Sequence, residues 1–171
     1  ETVLYNGDGQ STQTVSGLSF NPDLIWNKNR NTGHHNRVFD VVRGFSKFLA
    51  SDYTGAEDFV TDYGYITATS DTGFTVGQGT HSGNLINVNN NPYVNWCWDA
   101  GDTNTTVAKD ANGTNLPGAT CEYRANTTNG FSIVKVASPQ SNEARVHGLG
   151  VAPDFFICKS TASGDSWHTY W

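Results

Sequence analysis

Short runs in which apolar and polar residues alternate, separated by turn-forming residues, recur along the whole chain. A period of two is typical of β-strands, and the 3.6-residue period of an amphipathic helix is nearly absent. The pattern predicts strands at 2–5, 12–16, 23–28, 37–42, 65–69, 74–77 and 93–100. Segment 44–52 is helix-like, with a bent strand as the alternative. Short strands spaced by about ten residues predict an all-β fold, an antiparallel β-sandwich of jelly-roll or lectin-like type.

The segment 93–100 carries bulky residues at odd and at even positions, so both faces of this strand are expected to be packed. It therefore predicts a central strand that contributes to the core from both sides. The residues expected in the core are Trp26, Phe39, Trp96, Cys97 and Trp98.

Residues 1–40 recur without gaps at residues 132–171, an offset of 131. Val3 matches Val134, and the Pro22-Asp23 pair matches Pro153-Asp154. Self-similarity at a fixed spacing predicts tandem copies of one structural unit. We expect a first repeat at 1–100, a linker or long insertion at 101–129, and a second, truncated repeat at 130–171. Segments 3–28 and 134–159 should then share one strand-turn-strand fold.

The two Pro-Asp pairs at Pro22, Asp23, Pro153 and Asp154 are predicted to form turns that lead into buried strands, because Pro fixes φ and Asp bonds nearby amides. A ligand loop is the alternative. Since the second copy ends within its first strands, we also expect a longer native chain. The 1–171 fragment is expected to be poorly soluble or oligomeric, with an exposed apolar edge at 155–157.

Composition supports strands and turns, since Met is absent, Gly numbers 18 and aromatic residues make up 12%. A net charge of −6 with only ten scattered Lys and Arg residues argues against nucleic-acid binding. No apolar run is long enough to predict a membrane span. Cys97 and Cys158 are expected to be buried free thiols, with a Cys97–Cys121 disulfide as an alternative. No Cys or His spacing predicts a zinc site.

The loop around His34, His35, Asn36 and Arg37 is the candidate binding site, for a sugar or a metal, although an exposed loop without metal is the favoured interpretation. Five acidic residues are candidates for a glycosidase pair: Asp23, Asp40, Glu57, Asp58 and Asp62. The sequence does not place any two of them together, and no nucleophile motif occurs. We therefore expect neither catalysis nor a cofactor.

The blocks GLSFNPDLIW and YVNWCWDAG, together with VFDVVRG, DTGFTVG and NGFSIV, resemble a repeat domain of unknown function in virion proteins of tailed bacteriophages, particularly marine and cyanobacterial ones. In that family the domain belongs to tail fibres and capsid-associated fibres. The order of the blocks is matched from Tyr5 to Trp171. Segment 101–129 departs from the family in being longer and richer in Thr and Asn.

The resemblance implies a location at the virion surface and supplies no catalytic residue. We expect a structural virion protein that serves host attachment or capsid decoration by multivalent binding. Its expected partners are other virion subunits in a homo-oligomer, with a host-surface glycan as a candidate. A secreted or cell-surface carbohydrate-binding module and a purely structural filament or shell subunit are the alternatives.

Overall fold

The computed structural model describes residues 1–58, 61–81, 86–110, 117–137 and 143–171. These residues contain strands, turns and a single 3₁₀ turn at Thr61–Tyr63, with no α-helix, and every strand pairing is antiparallel. The predicted all-β class is therefore confirmed. In the described part of the chain no helix has the length and apolar character needed to cross a membrane. The helix-like segment 44–52 forms turns followed by a two-residue strand.

The contacts divide the chain into two compact units, Glu1–Trp98 with Phe155–Trp171, and Asp99–Asp154. The first unit contains these ten strands: β1 (Thr2–Asn6), β2 (Thr12–Ser16), β3 (Leu24–Asn29), β4 (Arg37–Asp40), β5 (Leu49–Ala50), β6 (Tyr65–Ser70), β7 (Gly73–Gly77), β8 (Pro92–Trp98), β12 (Phe156–Cys158) and β13 (His168–Tyr170). The second unit contains β9 (Thr105–Val107), β10 (Cys121–Asn126) and β11 (Phe131–Val136).

A β-sandwich forms the body of the first unit. One sheet has the strand order β1-β8-β3-β4-β5, and the other has the order β2-β7-β6. Alternate residues of both sheets point into one apolar core, as the period of two requires. This core includes Val3, Ile25, Phe39 and Cys97 from the first sheet and Val15, Ile66, Phe74 and Val76 from the second.

The sandwich also contains a polar row that the hydrophobic pattern does not reveal. Asn27 and Asn95 face each other on β3 and β8, and the Asn27 amide donates to Asn95 Oδ1 over 2.7 Å. Both side chains are buried. Beside them Tyr5 and Tyr93 stack at 4.8 Å between ring centroids, and the Tyr5 hydroxyl donates to the carbonyl of Ile86. Because buried polar groups need partners, these bonds hold the two Asn side chains in one arrangement.

Strand β8, which is rich in aromatic residues, is central in its sheet, as predicted, but its two tryptophans do not belong to the apolar core. Phe39 and Cys97 are buried in the core, whereas Trp96 lies on the opposite face of the sheet and is 37% exposed. The Trp26 ring on β3 lies next to the Trp96 ring, with ring centroids 5.4 Å apart. Trp98, which like Trp96 is on β8, is half-buried. The expectation that Trp96 and Trp98 are largely buried is therefore wrong. Their parity places them away from the second sheet, which covers only the face that carries Cys97.

The segment between β1 and β2 connects the two sheets. Segment 6–10 does not form a hairpin turn, because β1 pairs with β8 and β2 pairs with β7. Asp8 and the Asn87 side chain bond each other here, since the Asp8 amide N–H donates to Asn87 Oδ1 over 3.1 Å and Asn87 Nδ2 donates to Asp8 Oδ1 over 2.9 Å. The Asp8 carboxylate thus holds the loop between β1 and β2 in place through its bond with Asn87.

The second unit is a three-stranded antiparallel sheet with the order β11-β10-β9. Segment 101–129, expected to be a linker or insertion, supplies two of these strands. Cys121 begins β10 and is a buried free thiol. Cys97 and Cys158 are free thiols as well, so the structure contains no Cys97–Cys121 bridge, and Cys158 is exposed rather than buried.

Strands β12 and β13 form a two-stranded hairpin with the same register as β3 and β4. Phe156 lies opposite Tyr170 in the hairpin, and at an offset of 131 Ile25 lies opposite Phe39. Bends precede both β3 and β12, at Pro22-Asp23 and at Pro153-Asp154, but Pro22 and Asp23 are buried whereas Pro153 and Asp154 are exposed. The correspondence does not extend to β2, because its counterpart in the described residues 143–147 is not a strand.

Candidate functional site

The end of the predicted binding loop enters the sandwich at the first residue of β4. Arg37 and Phe39 share one face of this strand, because side chains alternate along it, and that face points into the sandwich. Arg37 is only 2% exposed. A buried guanidinium is rare and needs partners, so its surroundings define the site.

The Arg37 guanidinium lies against aromatic rings and is shielded from water. Its carbon is 4.1 Å from the centroid of the Phe48 ring and 5.6 Å from that of Tyr63. Nη1 donates to the carbonyl oxygens of Tyr63, over 2.8 Å, and of Gly64, over 3.2 Å. Nε is buried and has no hydrogen-bond partner. The group is therefore fixed in place with one strong donor unused.

Burial lowers the pKa of Arg37 to about 10, and the negative charge of Asp58 acts in the opposite direction. Because this value lies well above neutrality, the guanidinium keeps its charge at pH 7. The site thus has a permanent cation near a carboxylate inside a mostly apolar wall.

The rim of the site is aromatic and polar. The His35 and Tyr53 rings are 5.0 Å apart, and Tyr53 is 55% exposed. His35 Nδ1 is 3.4 Å from a carboxylate oxygen of Asp52. Trp167 Nε1 donates to the carbonyl oxygens of Ala50, over 3.0 Å, and Tyr53, over 3.3 Å. These bonds hold the loop that carries the Tyr53 ring.

An open pocket of about 310 Å³ lies between these residues. Its walls carry the aromatic rings of Phe48, Tyr53 and Tyr63, and its polar side chains are those of His35, Arg37 and Asp58. Proteins bind small ligands in pockets of roughly 300–1,000 Å³ that are largely apolar with a few convergent polar groups. This pocket fits that description at the small end of the range.

The sequence-based candidates His34, His35, Asn36 and Arg37 separate in the structure. His35 and Arg37 line the pocket, whereas His34 and Asn36 do not. The Asn36 amide N–H instead donates to Asp52 Oδ1 over 3.0 Å. Phe48, Tyr53 and Tyr63 were missed as binding residues, and Asp58 was considered only as a catalytic acid. They are distant in sequence from β4, and no local motif marks them.

Two other candidate acids, Asp40 and Glu57, both accept hydrogen bonds from a second arginine, Arg43. The Arg43 Nε donates to Asp40 Oδ2, and Nη1 donates to Glu57 Oε1 over 3.1 Å. Lys47 is a further cation near Glu57, with 3.4 Å between Nζ and Oε2. This network joins β4 to the following loop. Within the described residues no group of three His, Cys, Asp or Glu side chains is arranged to hold a metal ion.

Fold and site together define an antiparallel β-sandwich protein with an open, aromatic-walled pocket that contains a buried arginine. The chain belongs to the family described as domain of unknown function DUF7483, whose model matches residues 1–171. The single family model spans residues 1–40 and 132–171 alike. No curated protein and no solved structure matches the chain.

Proposed function

We propose that this chain is a surface-binding module of a bacteriophage virion protein, which attaches the particle to its host by multivalent contacts with glycans. The observation that carries the binding part is the pocket, in which aromatic rings lie beside the side chains of His35, Arg37 and Asp58. Polar groups fixed on a rigid scaffold favour binding, because little ordering of the site is needed when a ligand enters.

The aromatic rim supports a sugar as the ligand. Tyr53 offers an exposed ring on which the apolar face of a sugar packs, and the polar side chains beside it offer hydrogen bonds. A small pocket gives weak binding to one ligand. Copies arranged on a particle convert such contacts into strong attachment, since each additional contact becomes intramolecular.

The virion location rests on the resemblance of the sequence blocks to fibre proteins of tailed phages. The same pocket is compatible with a secreted or cell-surface carbohydrate-binding module. Immunogold microscopy of phage particles from the source, with antibodies against the chain, separates the two. Labelled particles with several copies each support the virion role, and label confined to cell surfaces or medium contradicts it.

A third candidate, a purely structural subunit, is favoured by the exposed β12–β13 hairpin. Phe156 and Tyr170 stack at 4.6 Å on it, and Ile157, the next residue of β12, is also exposed. Exposed apolar strand pairs are typical of contacts between subunits.

A glycan microarray tests the binding function against this structural one. We expect the purified chain to bind a subset of immobilised glycans and the Tyr53→Ala variant to lose that binding. Val151→Ala is the matched control, because Val151 is another large exposed side chain that does not line this pocket. No binding to any glycan by the wild-type chain, displayed as a multimer, would leave the structural function as the better explanation.

A further inference from the structure

One loop of the chain builds most of the pocket. Residues 48–58, which we call the pocket loop, supply five of the lining residues: Phe48, Ala50, Tyr53, Ala56 and Asp58. The two ends of the loop are joined, since the Phe48 N–H donates to the Asp58 carbonyl oxygen over 2.9 Å and receives the reverse bond over 3.0 Å. Residues 52–54 and Ala56 between these ends are exposed. Exposed loops fluctuate unless other segments hold them, so the contacts of this loop decide whether the pocket is formed before a ligand enters.

The connection between β3 and β4 holds the beginning of the pocket loop. This connection, residues 30–36, ends at Asn36, whose carbonyl oxygen accepts a hydrogen bond from the Ser51 N–H over 2.9 Å. The His35 ring of the same connection lies against the Tyr53 ring. The position of the exposed Tyr53 ring therefore depends partly on its contact with His35.

The connection between β12 and β13, residues 159–167, holds the same pocket loop at a second place. The two hairpins share one register at the offset of 131, so this connection corresponds to residues 30–36. The Glu57 N–H near the end of the pocket loop donates to the carbonyl oxygen of Thr161 over 2.9 Å. Both corresponding connections thus contact one loop, although their sequences differ.

Trp167 makes the most specific of these contacts. Its Nε1 donates to the carbonyl oxygens of both Ala50 and Tyr53, so a single indole N–H joins two residues of the pocket loop. At the offset of 131 it corresponds to Asn36, which bonds the same part of the loop. Tyr53 is thereby fixed twice, at its carbonyl group by Trp167 and at its ring by His35.

We propose that Trp167 is a positioning residue of the pocket, which holds the pocket loop so that the Tyr53 ring is in place before a ligand binds. Segment 155–171 then completes a binding site whose lining residues all lie in the first part of the chain. This inference rests on the proposed glycan-binding function. Trp167 does not line the pocket itself, and it acts by removing the ordering of the loop from the cost of binding.

The Trp167→Phe variant tests the inference, because it removes the indole N–H and keeps an aromatic ring. We expect the Tyr53 and Glu57 amide hydrogens to exchange at least about fivefold faster, since one hydrogen bond is lost and the loop opens more often. Affinity for the array glycans that the wild-type chain binds should fall by about fivefold as well. Amides of the central strands β3 and β8 should keep their protection. Hydrogen exchange followed by NMR and titration with those glycans measure the two effects.

Trp171→Phe is the matched control. Trp171 is the other tryptophan of segment 155–171, is 94% exposed and does not line the pocket. This variant should exchange its amide hydrogens and bind the array glycans as the wild-type chain does.

The indole N–H signals of the wild-type chain give a second readout. The Trp167 signal should shift when a glycan selected on the array is added, because both acceptors of this N–H belong to the pocket loop. The Trp171 signal should stay in place. This measurement decides the question if Trp167→Phe does not fold, which faster exchange throughout β3 and β8 would reveal.

The possible outcomes separate this inference from the proposed function. Unchanged glycan affinity of folded Trp167→Phe overturns the inference and leaves the function standing. Weaker binding without faster exchange in the pocket loop also overturns it, because Trp167 would then act by another route. If only the wild-type chain can be measured, a Trp167 signal that does not respond to a bound glycan has the same meaning. Absence of any glycan binding by the wild-type chain overturns the proposed function together with the inference.

Discussion

Strand pairs β3–β4 and β12–β13 have the same register but very different surroundings. Ile25 and Phe39 are opposite each other and completely buried, whereas their counterparts Phe156 and Tyr170 are 47% and 50% exposed. β3 lies between β8 and β4, and the second sheet covers its apolar face. β12 pairs with β13 alone in the described part of the chain.

The difference separates two levels of folding. Pairing of adjacent strands depends on local alternation and on the spacing between the paired positions. This spacing is the same for Ile25 with Phe39 and for Phe156 with Tyr170. Burial depends on distant strands, and in the described residues no further strand joins the β12–β13 sheet, so that Phe156 and Tyr170 stay about half exposed. Equal sequence patterns therefore lead to equal pairing with unequal contributions to stability.

The largest expected effect is on the apolar pair. Phe39→Ala should lower the free energy of unfolding by about 3–5 kcal/mol, because it leaves a cavity in the core. Its counterpart Tyr170→Ala removes a half-exposed ring, and we expect a loss of less than about 1 kcal/mol. Urea unfolding followed by circular dichroism measures both. Equal losses would mean that the hairpin is covered in solution.

A smaller effect is expected at the next pair of equivalent positions, Asn27 and Cys158. Asn27→Ala removes the donor to Asn95 and leaves a buried acceptor without a partner, which should cost about 1–3 kcal/mol. Cys158 is exposed, so Cys158→Ala should stay within about 0.5 kcal/mol of wild type. The double variant Asn27→Ala with Asn95→Ala tests the reason. It should lose less than the sum of its single changes, and strict additivity would contradict a direct bond between the two amides.

The thiols Cys97 and Cys158 give a chemical contrast that involves no loss of stability at pH 8. Burial raises the pKa of Cys97 to about 12 from an ordinary value of 9.0, so its folded form holds the proton more tightly than the unfolded form. The contribution of the Cys97 thiol to the free energy of unfolding is fully present below pH 9 and declines as the pH rises from 9 to 12. At pH 8, iodoacetamide should alkylate Cys158 in minutes and leave Cys97 unmodified, as read by peptide mass spectrometry.

Rapid modification of Cys97 in the native chain would contradict its place in the core. The same reagent in 6 M guanidinium is the control, because all three thiols should then react.

The strands were predictable because alternation is a local property. The predicted segments at 2–5, 12–16 and 74–77 all lie within one residue of observed strands. Which face of β8 lies in the protein core was harder to predict. Both of its faces carry bulky residues, and the pattern alone does not say which face meets the second sheet, so Trp96 was placed in the core instead of Asn95.

The candidate site shows the same division. His35 and Arg37 were singled out from the sequence because they are chemically distinctive and adjacent to a strand. The sequence therefore determined the strand pattern, the repeated pairing register and two residues of the pocket. Only the tertiary structure decided that Arg37 is buried against Phe48 and Tyr63 with Asp58 nearby. Those contacts join segments whose separation along the chain carries no local signal, and they form because the strand parity turns Arg37 inward where the two sheets meet.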